Sequence, residues 1–168
     1  LREQVDEWLV SADTALAGLP STPELPGSSA TPGRMTQIER RSLLGHIATI
    51  RAYNMLASGD LPGIMELAPR ALALLSEGEH ARTILAVTLG AAYWGQGNVL
   101  AAQDAFETAR TNALRGGHHY SSVPSACYVG MQQTKRALLH EAYETYSQAR
   151  ELAVAPDGRE VPVAGFPN

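Results

Sequence analysis

With 168 residues, 45% of them hydrophobic and 18% charged, the chain can bury one substantial core and is not disordered overall. A formal net charge of −4, with Lys135 the only lysine among 13 basic residues, provides no concentrated positive field and so excludes direct binding to nucleic acid or to an anionic membrane. The longest apolar runs, such as Ala71 to Leu75, fall far short of the roughly 20 residues that span a bilayer, no secretory signal pattern opens the chain, and a single cysteine, Cys127, can form no internal disulfide, which fits a cytoplasmic setting.

Residues 1–19 carry an apolar helical face of Val5, Trp8, Leu9, Ala12, Ala15, Leu16 and Leu19. The same spacing recurs at Ile64, Ala68, Ala71 and Leu72, so this segment reads as the second helix of a truncated pair, with Trp8 predicted in the core. Residues 20–35 hold four prolines and two glycines among small polar residues, sustain neither helical nor strand periodicity, and are predicted to form a flexible loop. From residue 36 the helical pattern returns in three copies, 36–77, 79–115 and 121–155, followed by a tail to residue 168 that starts a further apolar segment.

The second copy is the clearest. Ala86, Leu89, Gly90 and Tyr93 form one stripe on a first helix, and Ala102, Phe106 and Ala109 form another on a second. Gly97-Asn98 breaks the two apart, glycine permitting the left-handed turn and asparagine capping the helix that follows. In the first copy Gly59-Asp60 corresponds to that break, and Ala68 and Ala71 fall on Phe106 and Ala109. Pro69 lies inside that copy's second helix and is predicted to kink it or to loosen a hydrogen bond. In the third copy Gly130, Ala142, Tyr146 and Ala149 match Gly90, Ala102, Phe106 and Ala109, but Ala137-Leu138 replaces the Gly-Asn break and predicts a blunter or shifted turn.

The order and spacing of these positions resemble the tetratricopeptide repeat (TPR), which implies an all-α, right-handed superhelix of about seven helices. The copies are 38 and 40 residues apart, longer than the 34 of a standard TPR. Together with the lone leading helix and the phrases Ser58-Gly59-Asp60-Leu61-Pro62, Ala71 to Leu75 and Pro162-Val163-Ala164-Gly165-Phe166, this resembles the TPR-like sensor region of MalT-like regulators of the LuxR family. That resemblance implies a piece of a longer cytoplasmic regulator, with adjoining repeats, an upstream ATPase and a downstream DNA-binding domain. This segment itself holds neither a phosphate-binding loop nor a basic recognition helix, and no cofactor is expected in it.

No catalytic or metal constellation is predicted. Gly116-Gly117-His118-His119-Tyr120-Ser121-Ser122 places two histidines side by side, which rarely face one point, and reads as a solvated turn. Cys127 lacks an acidic orienter and reads as a half-buried thiol; Asp104-Glu107 and Glu141-Glu144 read as solvated faces. Binding is better supported. On the first helices, His46, Thr49, Tyr53 and Leu56, then Ile84, Val87, Ala91 and Trp94, then Pro124, Cys127, Met131 and Thr134, each follow i, i+3, i+7, i+10 and predict a mostly apolar groove for a small-molecule effector or a protein partner.

Overall fold

The computed structural model describes residues 2–18, 21–22 and 35–154. The described residues form an all-α solenoid of seven helices: α1 (Arg2–Gly18), α2 (Gln37–Ser58), α3 (Leu61–Leu72), α4 (His80–Gly95), α5 (Val99–Arg115), α6 (His119–Lys135) and α7 (Leu139–Leu152). Two short strands, β1 (Ser21–Thr22) and β2 (Met35–Thr36), pair in parallel, with Ser21 opposite Met35 and Thr22 opposite Thr36. They tie together the two ends of the segment expected to be a flexible loop, whose interior, like the C-terminal tail, lies outside the described residues.

A backbone cadence underlies the helices. Residues 59, 78, 97, 117 and 137 all have positive φ, one every 19 or 20 residues, and a helix begins two residues after each. Four of the five are glycine, which enters the left-handed region without the Cβ clash that burdens other residues. Ala137 is the exception, at φ 59°. The third copy therefore turns at the same place as the second despite its different residues, and the blunter break expected there is absent: Leu138 N donates to Gln133 O at 2.9 Å, as Asn98 N does to Tyr93 O at 2.9 Å.

Side chains complete some of these turns and not others. Asp60 accepts from Gly63 N at 3.0 Å and Asn98 from Ala101 N at 3.2 Å, each satisfying one of the free amides at a helix start. Thr36 opens α2 with a capping box, its hydroxyl accepting from Glu39 N at 3.2 Å while the Glu39 carboxylate accepts from Thr36 N at 2.8 Å. Thr36 N and, at 3.0 Å, the Thr36 hydroxyl both donate to the Glu39 carboxylate and hold it below its ordinary pKa. α3 continues helically through Pro69 but ends three residues later, at Leu72, and is the shortest of the seven at 12 residues.

Two clusters form the core of the repeats, and a smaller third joins α1 to α2. Ala52, Ile64, Ala68, Ala71, Leu85, Leu89 and Ala92 join α2, α3 and α4. Ala102, Phe106 and Val129, flanked by Val87, Tyr93, Trp94 and Tyr128, join α4, α5 and α6. Phe106 lies against the bare Cα of Gly90 and stacks on Tyr128, ring centroids 4.8 Å apart and 11° from parallel. One copy earlier the same pair of positions holds Ala52 and Ala68, both fully buried, so two small side chains meet where the second copy sets a large ring against a bare Cα. One copy later Tyr146 lies over Gly130 in the same way, but 40% exposed.

The leading helix departs from expectation. Leu9, not Trp8, is the buried contact, packing on Ile47 with Ala12, Met35 and Leu44 around it; Trp8 is 72% exposed. One residue along a helix turns the side chain by about 100°, so matching Trp8 to Ile64 puts the buried stripe one position out of phase. Ala15, which that match also places inside, is exposed.

Candidate functional site

α4 is buried on nearly every side: Ala81, Thr83, Leu85, Ala86, Thr88, Leu89, Gly90 and Ala92 are all inside. Among the positions it leaves open or partly open are Ile84, Val87, Ala91 and Trp94, beside Arg82 and Tyr93. At the end of this stripe the Lys135 ammonium from α6 lies 5.2 Å from the Trp94 ring centre, a cation–π contact that ties two successive first helices together. On α6 Pro124, Cys127 and Met131 are partly exposed and Thr134 is open, its hydroxyl donating to Gly130 O at 2.9 Å. Burial raises the Cys127 pKa, which keeps it a thiol rather than a nucleophilic thiolate near neutrality.

α2 contributes less than its spacing suggests. His46 and Tyr53 are exposed and Leu56 is partly buried against the core, but Thr49 is only 5% exposed and spends its hydroxyl on Gly45 O at 2.8 Å. Thr49 therefore offers no surface to a ligand. His46 Nδ1 lies 2.8 Å from Ser42 O and 3.9 Å from the Glu79 carboxylate. Partial burial alone would raise the Glu79 pKa; the Ser76 amide, the Ser42 hydroxyl and His46 outweigh it and hold the group below its ordinary value.

The clearest clefts lie elsewhere. One of about 280 Å³ opens between α3, α4 and α5 over Leu72, Leu89, Tyr93, Ala105 and Thr108, where α3 is too short to cover its neighbours. A second, of about 270 Å³, runs on from it past Arg82, Thr111, Asn112 and Arg115. Its charges are already committed: Arg82 donates to Leu72 O and Leu75 O, and Arg115 pairs with Glu77. Glu107 pairs with Arg110 at 2.8 Å.

The histidine turn is not the solvated loop its sequence suggests. His118 is half-buried, and its Nε2 lies 2.8 Å from Gly78 O in the α3–α4 connection. Its ring meets His80 edge-on at 5.1 Å. Close packing between the α5–α6 turn and the α3–α4 connection draws the residue in. Among the described residues no three His, Cys, Asp or Glu side chains come together as a metal site.

Two buried amides escaped the sequence reading. Asn112 on α5 donates to Glu79 O at 2.9 Å and to Thr83 Oγ1 at 2.8 Å, and accepts from Gly78 N at 2.7 Å. Gln132 on α6 is wholly buried, and neither its Oε1 nor its Nε2 has a partner among the described residues. The signal was a polar residue in an apolar column: Asn112 lies three after Ala109 on the buried face, and Gln132 occupies the place of Ala92 one copy earlier.

Stacked antiparallel helix pairs, glycine-backed aromatics and an open apolar stripe on the first helices define a helical-repeat module of the tetratricopeptide type. The chain belongs to the family of MalT-like TPR regions, which matches residues 45–168. Comparison with curated proteins gives no match, and neither does comparison with solved structures. No described helix is long and apolar enough to cross a membrane.

Proposed function

We propose that the chain is a non-catalytic binding module that receives a small-molecule effector or a protein segment on the face formed by α2, α4 and α6. The observation that carries this reading is the stripe of Val87, Ala91 and Trp94 beside Cys127 and Met131: apolar and partly open on helices otherwise buried, with Lys135 poised over the one large aromatic. A flat or apolar group can displace the ammonium and take the ring face, and polar groups of the ligand can then meet Lys135. Within a LuxR-type cytoplasmic regulator, binding across two repeats would favour one curvature of the solenoid, and adjoining repeats would pass that preference to an ATPase and a DNA-binding domain.

The test is a thermal-shift screen of small molecules alongside capture of partners, each repeated with Trp94→Ala and Lys135→Gln. A small molecule that raises Tm in the native chain and loses affinity in both variants supports effector sensing. Lys135→Gln keeps the apolar packing of Trp94, so its loss of affinity separates a binding role from a folding one. A stoichiometric protein partner with no small-molecule hit would instead make the module a scaffold.

A further inference from the structure

We propose that His80 and His118 form a pH-sensitive clasp that fastens the connection between the first two repeats to the start of the third, and so sets the packing of α6 against α4. The connection, residues 73–79, is gripped from two sides. Asn112 holds Gly78 N and Glu79 O, and His118 holds Gly78 O at 2.8 Å. A carbonyl oxygen only accepts, so His118 must carry its hydrogen on Nε2. Backbones meet closely here: a Cβ on Gly116 would collide with Gly78 O and with the His118 ring.

The second imidazole completes the clasp. His80 opens α4, meets the His118 ring at 5.1 Å, and has Nδ1 3.1 Å from Ser121 Oγ on α6. Two imidazolium ions at this distance repel, so the closed clasp tolerates one proton far better than two. Nearby charged groups on the surrounding elements are engaged elsewhere. On α2, His46 faces Ser42 and Glu79, and Arg41 donates to Ala73 O. In the connection, Glu79 is turned to Ser76 N and Ser42 Oγ, while Glu77 pairs with Arg115 from α5. Arg82 on α4 caps Leu72 O and Leu75 O. Among the described residues no carboxylate pairs with either ring, so none of these groups offsets a second positive charge.

Burial, and then the neighbouring His118, hold His80 below the ordinary histidine pKa. For a base whose folded-state pKa is depressed, the sign is fixed. The clasp contributes fully above the unfolded histidine value of about 6.5, and its contribution is lost as pH falls from there through the folded value. Glu79 titrates below the ordinary carboxylate range, outside that window. Opening would release Gly78 from the α6 terminus and loosen the seat of the helix that carries Cys127 and Met131.

The experiment is amide hydrogen exchange at Gly78 and Glu79 in the 168-residue chain from pH 7.5 to 5.5, corrected for intrinsic exchange, together with NMR titration of the assigned histidine rings. The expected result is at least a tenfold rise in corrected exchange at the lower pH and a His80 midpoint below that of an unstructured histidine. His118→Gln supplies an amide donor for Gly78 O that does not titrate. It should keep protection at pH 7.5, reduce the pH dependence by the part that His118 supplies and move the His80 midpoint upward, burial still holding it below the ordinary value. An unchanged exchange profile in the native chain would overturn the clasp. So would a His80 midpoint indifferent to His118→Gln, a measurement that stands even if the variant is less stable.

Discussion

Gly90 is the sharpest place to test why this solenoid packs as it does. A Cβ at that position would lie 2.6 Å from Cε1, 2.7 Å from Cδ1 and 2.9 Å from Cζ of Phe106. Carbon atoms rest comfortably about 3.5 to 4.0 Å apart, so the ring would have to withdraw by about 1 Å. Phe106 is fully buried and stacked on Tyr128, which leaves it little room. Overpacking of this kind costs about 1–3 kcal/mol, while alanine in mid-helix gains about 1 kcal/mol over glycine. Gly90→Ala should therefore lose about 0–2 kcal/mol net, toward the upper end because Phe106 has little room to withdraw. Gly130→Ala is the internal control, since its Cβ would meet Tyr146 at 2.8 Å but that ring is 40% exposed and can swing outward. Its change should stay within about 0.5 kcal/mol. Pairing Gly90→Ala with Phe106→Ala recreates the Ala52–Ala68 arrangement of the first copy, so the double variant should be more stable than the two single effects added together. Urea unfolding followed by far-ultraviolet circular dichroism gives the midpoints, compared at unchanged m. A Gly90→Ala chain at or above the native midpoint, or a Gly130→Ala chain that loses more, would refute the argument.

Three further outcomes follow from buried polar groups and the turns. Asn112→Ala strands Gly78 N and Glu79 O and should cost about 2–3 kcal/mol by urea midpoint, with Asn112→Asp, which keeps the acceptor for Gly78, falling between. Gln132→Leu removes a buried amide without partners and should raise stability by about 1 kcal/mol, read from the same titration; a loss would mean that the amide is satisfied by ordered water. Ala137→Gly relieves the left-handed strain at φ 59°, and its gain of about 0.5–1 kcal/mol should appear as a rise of about 2 °C in Tm.

Periodicity carried the fold in the second copy because each signature residue there has a single job. Gly90 makes room, Phe106 fills it, Gly97 turns the chain and Asn98 caps it, so the residue types are restrictive. At the leading helix the code is looser. Trp8 and Leu9 are adjacent and both apolar, and only contact with Ile47 and Leu44 chooses Leu9. The third turn was obscured because Ala137, exposed and closed into the turn by backbone hydrogen bonds to Thr134 O and Gln133 O, adopts a conformation that its side chain disfavours. For the stripe on α4 and α6, spacing identified residues that remain partly open, but on α2 it could not tell an exposed position from Thr49, whose hydroxyl is satisfied inside its own helix. The contact of His118 with Gly78 joins residues 40 apart through a backbone carbonyl, which neither motif nor periodicity encodes.

The left-handed residues recurring every 19 or 20 positions give the chain a parity. Each step reverses direction and moves the next helix between the inner and outer rows. An insertion of one whole step, however well it folded locally, would send every later inner helix to the outside and carry the Trp94 and Met131 surfaces to opposite faces. Two steps, about 40 residues, restore the original assignment. Duplication in this architecture can therefore lengthen the proposed binding face only in pairs of helices, whereas a single residue gained within a helix rotates its stripes by about 100° and spoils the face at once.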